Sequence, residues 1–313
     1  MKKQVNHVLL LVLCLALAVT LLSGCAQDSS PQVLDLSPSP TLLPSAAPLP
    51  SAPQAATALH LWLINTGESD ALLFQTDSGS FMIDTGLKGR FDAVEETLSR
   101  AGITSLDAVI LTHGHKDHIG GLKKLLKRCT VGTIYTAAID DETYSDSELE
   151  TIHESGAEHV LLQKGDVFTL CGISFSVLSP ERKYIEDLGE DDNNNSLVLR
   201  AEAAGCSLLL MGDATETIEQ ILLREGVSLA ADLLKAGHHG KDDASSAAFL
   251  AAVSPRIALL TGSHSDGDTS PSEAVLARFA ALGTTVYTND TELLALELII
   301  SAPDSIEAIE HVW

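Results

Sequence analysis

The sequence predicts an α/β (α+β) domain in which two mixed β-sheets pack together with helices outside. It is assigned to residues 58–313 of a 313-residue chain. Three observations predict this. From Ala58 onward, short apolar runs of strand character alternate with segments of helical period. The early strands come as hairpins, and mixed strand-helix units run throughout. Hydrophobic residues make up 45% of the chain, so about 255 positions can close around one real core.

Composition removes several classes. With 43 Asp and Glu against 19 Lys and Arg, the formal charge is −24. Such a chain is a poor sequence-independent binder of nucleic acid, because phosphate neutralisation needs clustered cations. Bound metal would supply positive charge that a residue count misses. The apolar content excludes a disordered acidic tail, and 22 Gly and 11 Pro without period exclude a fibrous repeat.

The first 57 residues are read as address and tether. Lys2 and Lys3 precede a 15-residue apolar run, Val8 to Leu22, broken only by Thr20. That is short of the roughly 20 residues of a spanning helix and fits a secretory signal, residues 1–24. The run ends in Leu22-Ser23-Gly24-Cys25, which resembles a bacterial lipobox. The expectation is an acylated Cys25, with membrane lipid as partner and the extracytoplasmic face of the membrane as location. Residues 25–57 are rich in Pro, Ser and Ala and read as an extended linker. Cys129, Cys171 and Cys206 match no zinc spacing and are expected to be buried free thiols.

The elements follow in order. Ala58–Asn65 and Ala71–Thr76 read as strands flanking the turn Thr66-Gly67-Glu68-Ser69-Asp70, and Phe81–Asp84 as a third. Phe91, Val94 and Leu98 give helical spacing over Phe91–Ala101, ended by Gly102. Asp107–Thr112 is a buried strand, and Ile119–Lys127 an amphipathic helix. Ser196–Glu202 and Ser207–Met211 form a hairpin across Gly205. Ala214–Arg224, Ser245–Val253 and Pro271–Leu282 read as helices. Ala231–Lys235, Arg256–Thr261, Thr284–Tyr287 and Leu293–Ile300 read as strands.

Three strand ends carry the chemistry. Thr112-His113-Gly114-His115-Lys116-Asp117-His118 sets three imidazoles and a carboxylate within six residues, the donor types of zinc and similar ions. In extended chain, His113 and His115 fall on one side. Asp117 and His118, at the turn into a helix, reach a second ion. Leu208–Asp213 places a carboxylate at the tip of an apolar strand, able to bridge two cations. Leu233–Gly240 places His238 and His239 between glycines at another strand end. One is a candidate ligand, and the other an outer donor or general acid.

Taken in order, these elements resemble the metallo-β-lactamase superfamily. The runs His113–Gly121, Asn193–Leu199, Met211–Asp213 and Gly237–Gly240, with Ile83–Gly86, are similar to the extracytoplasmic hydrolase domain of ComEC/Rec2-type competence proteins and their free-standing secreted relatives. The resemblance covers residues 58–300. It implies an αββα sandwich, two divalent ions along one edge and a hydrolytic reaction. Zinc is the favoured ion and manganese the alternative.

By motif, the resemblance implies His113 and His115 on one metal, and Asp117, His118 and His239 on the other, with Asp213 bridging. His238 would orient substrate or protonate the leaving group; Asp117 and His238 are the catalytic candidates. Asn193 stands where many members have a further histidine, and is a candidate first-site or substrate ligand; His153 and His159 lie too early to replace it. Ser270 occupies a position usually taken by histidine, with His264 as a candidate substitute. The turn Asn65–Ala71 also departs from the family's form.

The implied function is a membrane-tethered hydrolase acting on a small or short phosphodiester or other phosphate ester. Nucleic acid is not favoured by the charge. Lactam, thioester or ester hydrolysis is the alternative on the same fold. Outside enzymes, the alternatives are a metal-binding but idle scaffold lipoprotein, motivated by Asn193 and Ser270, and a metal-free solute-capturing lipoprotein.

Overall fold

The structure is a computed structural model, and it describes residues 58–138, 144–181, 192–262, 270–289 and 292–313. The signal, tether and Cys25 expectations, and His264, lie outside the described residues. Among those described, no helix is long and apolar enough to cross a membrane.

Two sheets face each other. The first contains β1 (Leu59–Ile64), β2 (Leu72–Thr76), β3 (Gly79–Ile83), β4 (Ser105–Ile110), β5 (Thr130–Ala137), β6 (Glu158–Leu162), β14 (Leu293–Ala302) and β15 (Ser305–Val312), in the order β15-β14-β1-β2-β3-β4-β5-β6. The second contains β7 (Val167–Leu170), β8 (Ile173–Ser179), β9 (Val198–Ala203), β10 (Cys206–Leu210), β11 (Leu233–Lys235), β12 (Ile257–Leu260) and β13 (Thr285–Thr288), in the order β13-β12-β11-β10-β9-β8-β7. Both are mixed. Strands β3 to β6 run parallel, as do β10 to β13.

Strand alternation builds the layers. Leu59, Leu61 and Leu63 of β1 join Phe74, Phe81, Phe175, Leu199 and Leu208 in the core between the sheets. Trp62 and Ile64 point the other way, to α1 (Phe91–Arg100) and α3 (Leu122–Arg128). On the second sheet's outer face, Leu209, Leu234 and Leu260 meet α5 (Glu216–Glu225), α6 (Ala247–Val253) and α7 (Glu273–Leu282). The αββα layering expected from the sequence is therefore the one observed.

Some boundaries differ for physical reasons. The single helix expected over Ile119–Lys127 is two: α2 (Lys116–Ile119) and α3. Gly120 and Gly121 separate them, because the chain passes too close to the 85–88 loop for a side chain. A Cβ on Gly121 would lie 2.2 Å from the Thr85 carbonyl oxygen, and one on Gly120 2.9 Å from the Lys88 nitrogen. The strand expected over Asp107–Thr112 ends at Ile110; the Thr112 N–H donates instead to Asp84 Oδ1 at 2.8 Å. Residues 128–195, for which no element is predicted, supply β5 to β8 and α4 (Asp146–Glu154), whose first turn is closed by a Ser145–Glu148 capping box. Strand β15 is likewise unpredicted. Cys129 and Cys206 are buried free thiols. Cys171 departs from expectation: it is half-buried, and burial beside Asp107 pushes its thiol up to about 12.

Candidate metal centre

Both sheets deliver their polar residues from the carboxyl ends of parallel strands. Asp84 follows β3, the histidine loop follows β4, Asp213 follows β10, His238 and His239 follow β11, and Thr261 follows β12. Convergent strand ends are where an open parallel sheet leaves backbone and side chains available to a ligand.

Four side chains converge most tightly. His118 Nε2 and His239 Nε2 each lie 3.1 Å from Asp213 Oδ2; Asp117 Oδ2 is 3.2 Å from His239 Nε2 and 4.0 Å from His118 Nε2. Each imidazole is oriented from its far side. His118 Nδ1 donates to Asp84 Oδ2 at 2.7 Å, and the same carboxylate accepts from the Thr112 hydroxyl and backbone N–H. The Thr261 hydroxyl donates to Asp70 Oδ1 at 2.5 Å, so the 2.9 Å contact from His239 Nδ1 to that hydroxyl is a donation from the ring. Both rings are thereby held with the Nε2 lone pair aimed at carboxylate oxygens. His118 Nε2 and Asp213 Oδ1, both buried, have no hydrogen-bond partner.

A lone pair facing a carboxylate is repulsive unless positive charge stands between them. Tetrahedral zinc with ligand bonds of 2.0–2.1 Å has ligand-to-ligand edges of about 3.3–3.4 Å. The four contacts of 3.1 to 4.0 Å bracket that value, so the donor set fits a divalent cation. The titration shifts report the negative field of the carboxylates, which favours a proton on these rings as well as a cation between them. Burial opposes charge on His118 and His239, yet Asp213 and the other carboxylates outweigh it. His118 is raised well above the usual imidazole range, and His239 to about 10. Asp117 falls to about 2, burial being outweighed by His239 and His118; Asp213 falls well below its ordinary value for the same reasons. The pocket stabilises positive charge between these atoms.

Beside it, His113 Nε2 faces His115 Nδ1 at 3.0 Å. His113 Nδ1 contacts Thr112 Oγ1 (3.2 Å) and Ser196 Oγ (3.3 Å). Burial, with His118 adjacent, pushes His113 well below the usual value, leaving the neutral form that ligates metal. The His113 and His118 ring centroids are 4.1 Å apart, so this pair adjoins the first cluster.

Asp70 also lies within 4.8 Å of His118, Asp213 and His239. Its oxygens, however, are taken by Lys235, by Thr261 and by His239 Nδ1 at 3.3 Å. With those oxygens occupied Asp70 reads as an outer partner, which leaves Asp117 Oδ2, 3.2 Å from His239 Nε2, as the candidate fourth donor. Lys235, fully buried, donates to the Gly212 carbonyl at 3.1 Å and stands 3.9 Å from Asp213 Oδ1. This ion pair holds Asp70 ionised against its burial.

The histidine doublet divides its labour. His239 is buried in the cluster; His238 turns to the rim, its Nδ1 2.9 Å from Asp243 and its Nε2 3.4 Å from Asn193 Nδ2 and 3.5 Å from Lys241 Nζ. Both adopt left-handed backbone, φ 44° and 54°, which side chains seldom do without constraint. Gly237 makes the turn feasible, since a Cβ there would sit 2.3 Å from the Ala214 carbonyl oxygen. Lys241 pairs with Glu68 at 2.6 Å, and buried Ser270 donates to the same carboxylate. His153 and His159 lie against one another with tilted rings, 5.7 Å between centroids, on α4 and β6.

Asp84, Asp70, Lys235, Thr261 and Ser196 were not assigned roles by sequence. The available signal was Asp84-Thr85-Gly86 closing an apolar strand, and a lysine ending the apolar run Leu233-Leu234-Lys235.

Comparisons with known proteins bear on the family and the fold. Residues 64–175 match the family model described as "Metallo-beta-lactamase superfamily", so this stretch carries that superfamily's domain signature. The chain's relatives include Competence protein ComA of Neisseria gonorrhoeae, 32% identical over 243 residues, covering 77% of this chain and 32% of that protein. ComE operon protein 3 of Bacillus subtilis is 33% identical over 180 residues, 57% of this chain and 23% of that protein. The chain thus spans a third or less of the length of these relatives. Among solved structures, CmlA, a diiron β-hydroxylase from Streptomyces venezuelae, aligns with a TM-score of 0.52 at 12% identity, over 79% of this chain and 54% of that one. At that identity the likeness is one of fold.

Proposed function

We propose that the chain is a metal-dependent hydrolase of phosphodiesters or other phosphate esters, held at the extracytoplasmic membrane face by lipid on Cys25. The observation that carries the hydrolase reading is the convergence of His118, His239, Asp213 and Asp117 at ligand-to-ligand distances, with His113 and His115 adjoining. Two divalent ions are inferred, zinc first and manganese second. When bound, such ions supply Lewis acidity, bringing the pKa of water toward neutrality and offsetting charge on the ester oxygens.

The chain's own residues do the rest. Asp84 and the Thr261–Asp70 pair fix the ring orientations of His118 and His239. Asp243 fixes the Nδ1 proton of His238, which leaves Nε2 as the atom that holds or delivers a proton at the rim. Lys241, beside that Nε2, offers positive charge to an ester oxygen. The Leu22–Cys25 motif and the Pro-rich stretch to residue 57 support the membrane tether.

The test is metal analysis of the purified chain with a bis(p-nitrophenyl) phosphate assay, on wild type and Asp117→Ala. Bound metal with turnover that falls at least about 100-fold in the variant is expected. Metal without turnover on phosphodiester, lactam and ester panels would favour the idle scaffold, and absence of metal would remove the reading altogether.

A further inference from the structure

The sequence departs from the family's form at the turn Asn65–Ala71 and at Ser270, and the structure brings these two departures into contact across 202 residues. Ser270, fully buried, donates its hydroxyl to one oxygen of Glu68, and Lys241 Nζ lies 2.6 Å from the other. Three loops therefore meet on one carboxylate: the turn after β1, the histidine turn after β11 and the stretch before α7. Each is held by its own backbone bonds. Asn289 Nδ2 donates to the Gly67 carbonyl at 3.1 Å, and the Ser272 N–H donates to the Gly240 carbonyl at 2.9 Å. The Glu68 side chain is only 14% exposed, so water and salt screen its charge poorly.

This network belongs to the rim of the candidate metal centre. Lys241 Nζ stands 3.5 Å from His238 Nε2, the rim atom that holds or delivers a proton. Burial opposes charge on Lys241, but Glu68, Asp213 and Asp117 together raise it above the ordinary lysine value, which places the ammonium within the field of the cluster. The two residues that follow are also balanced: Asp242 pairs with Arg278 and Asp243 with His238, each at 2.9 Å.

An ammonium in contact with a carboxylate keeps directed N–H donors, but beyond contact distance the two charges nearly cancel. We propose that Glu68 is a specificity-determining residue: by neutralising Lys241 it suits the rim to a singly charged ester phosphate and withholds the extra attraction that a bare ammonium would give a doubly charged terminal phosphate. A singly charged oxygen still takes a charge-assisted bond from Nζ, while a second charge on the same phosphate gains little from the pair. Ser270 fixes the second Glu68 oxygen and so keeps the carboxylate turned to Lys241. The proposal deepens the phosphate-ester reading and rests on it for the class of ligand, though not for turnover.

The test uses the full chain loaded with zinc, as wild type, Glu68→Gln, Lys241→Gln and the double variant. Two ligands that resist hydrolysis are titrated by calorimetry: phenylphosphonate, at a pH where it carries two charges, and its monomethyl ester, which carries one. Bis(p-nitrophenyl) phosphate turnover and thermal melts are measured on the same preparations. The quantity read is the ratio of affinities, doubly over singly charged. Glu68→Gln, which frees the ammonium, should raise that ratio on the order of 5–10-fold, and Lys241→Gln, which leaves the carboxylate alone, should lower it by a similar factor. The double variant is neutral again, and its ratio should return to within about twofold of wild type. A purely structural role for Glu68 would weaken both ligands together and leave the ratio unmoved, which overturns the proposal, as does a wild type that binds neither phosphonate. The charge pattern without diester turnover would leave Glu68 in this role and sink the hydrolase reading; turnover without the pattern would do the reverse.

Discussion

Asp84 shows how a side chain one hydrogen bond behind a candidate ligand can govern the centre. It is buried in left-handed backbone, and burial lifts its carboxyl although His118 opposes this. Its two oxygens take three donors: the Thr112 N–H, the Thr112 hydroxyl and His118 Nδ1. Asp84→Asn replaces an acceptor of the His118 proton with an amide that can present N–H to the same ring nitrogen. Metal affinity should fall by about 10–100-fold, read by competition with a chromophoric chelator, while the fold persists. Unchanged affinity would show that His118 orients without Asp84. At this scale the sequence is readable where candidate ligands are neighbours, as from His113 to His118. Asp84, Asp70 and Lys235 were not readable as partners, because 34 residues separate Asp84 from His118, and a polar residue ending an apolar strand looks like turn chemistry.

The elements hold the loops by close backbone approach and by buried caps. Gly121→Ala would drive a methyl to 2.2 Å from the Thr85 carbonyl oxygen and toward the Phe91 ring, so the 85–88 loop or α3 must shift. A loss of about 1–3 kcal/mol in urea unfolding is expected. A wild-type midpoint would contradict the close approach. Glu219 of α5 is the buried cap of α6: its carboxylate accepts from the Ser245 N–H at 2.5 Å and the Ser246 N–H at 2.9 Å. Burial nevertheless raises its pKa above the usual 4.5, outweighing those bonds. A raised folded value contributes stability that is full below the unfolded pKa and lost as pH rises through the folded one. Stability of Glu219→Gln relative to wild type should therefore improve from pH 4.5 upward, in parallel urea titrations. A pH-independent difference would refute it. Helix periodicity made α1, α5 and α7 legible. It also suggested one helix over Ile119–Lys127, since the apolar spacing runs through Gly120 and Gly121 and only the tertiary contact breaks it.

Across the whole domain, the centre exists because two sheets bring parallel strand ends to one edge. The layering followed from alternation and hairpins, but the strand order did not, because pairing is set by contacts far apart in sequence. β5 to β8 extend both sheets from a stretch of mixed polarity; β7 reads exposed and half-buried by turns, which blurs the periodic signal. The candidate ligands come from loops after β4, β10 and β11 and so draw on both sheets, and metal bound there should stabilise the domain by mass action. Saturating zinc at about 1,000 times Kd contributes about 4 kcal/mol, on the order of a 10 °C rise in Tm for a domain of this size. Chelation should reverse it.

The central claim is that His118, His239, Asp213 and Asp117 surround a cation. Anomalous diffraction at the zinc edge, from crystals grown with zinc, tests it directly. The account predicts a peak about 2.0–2.2 Å from His118 Nε2, His239 Nε2 and oxygens of Asp213 and Asp117. Ordered side chains in this arrangement with no peak among them, at saturating zinc, would contradict it.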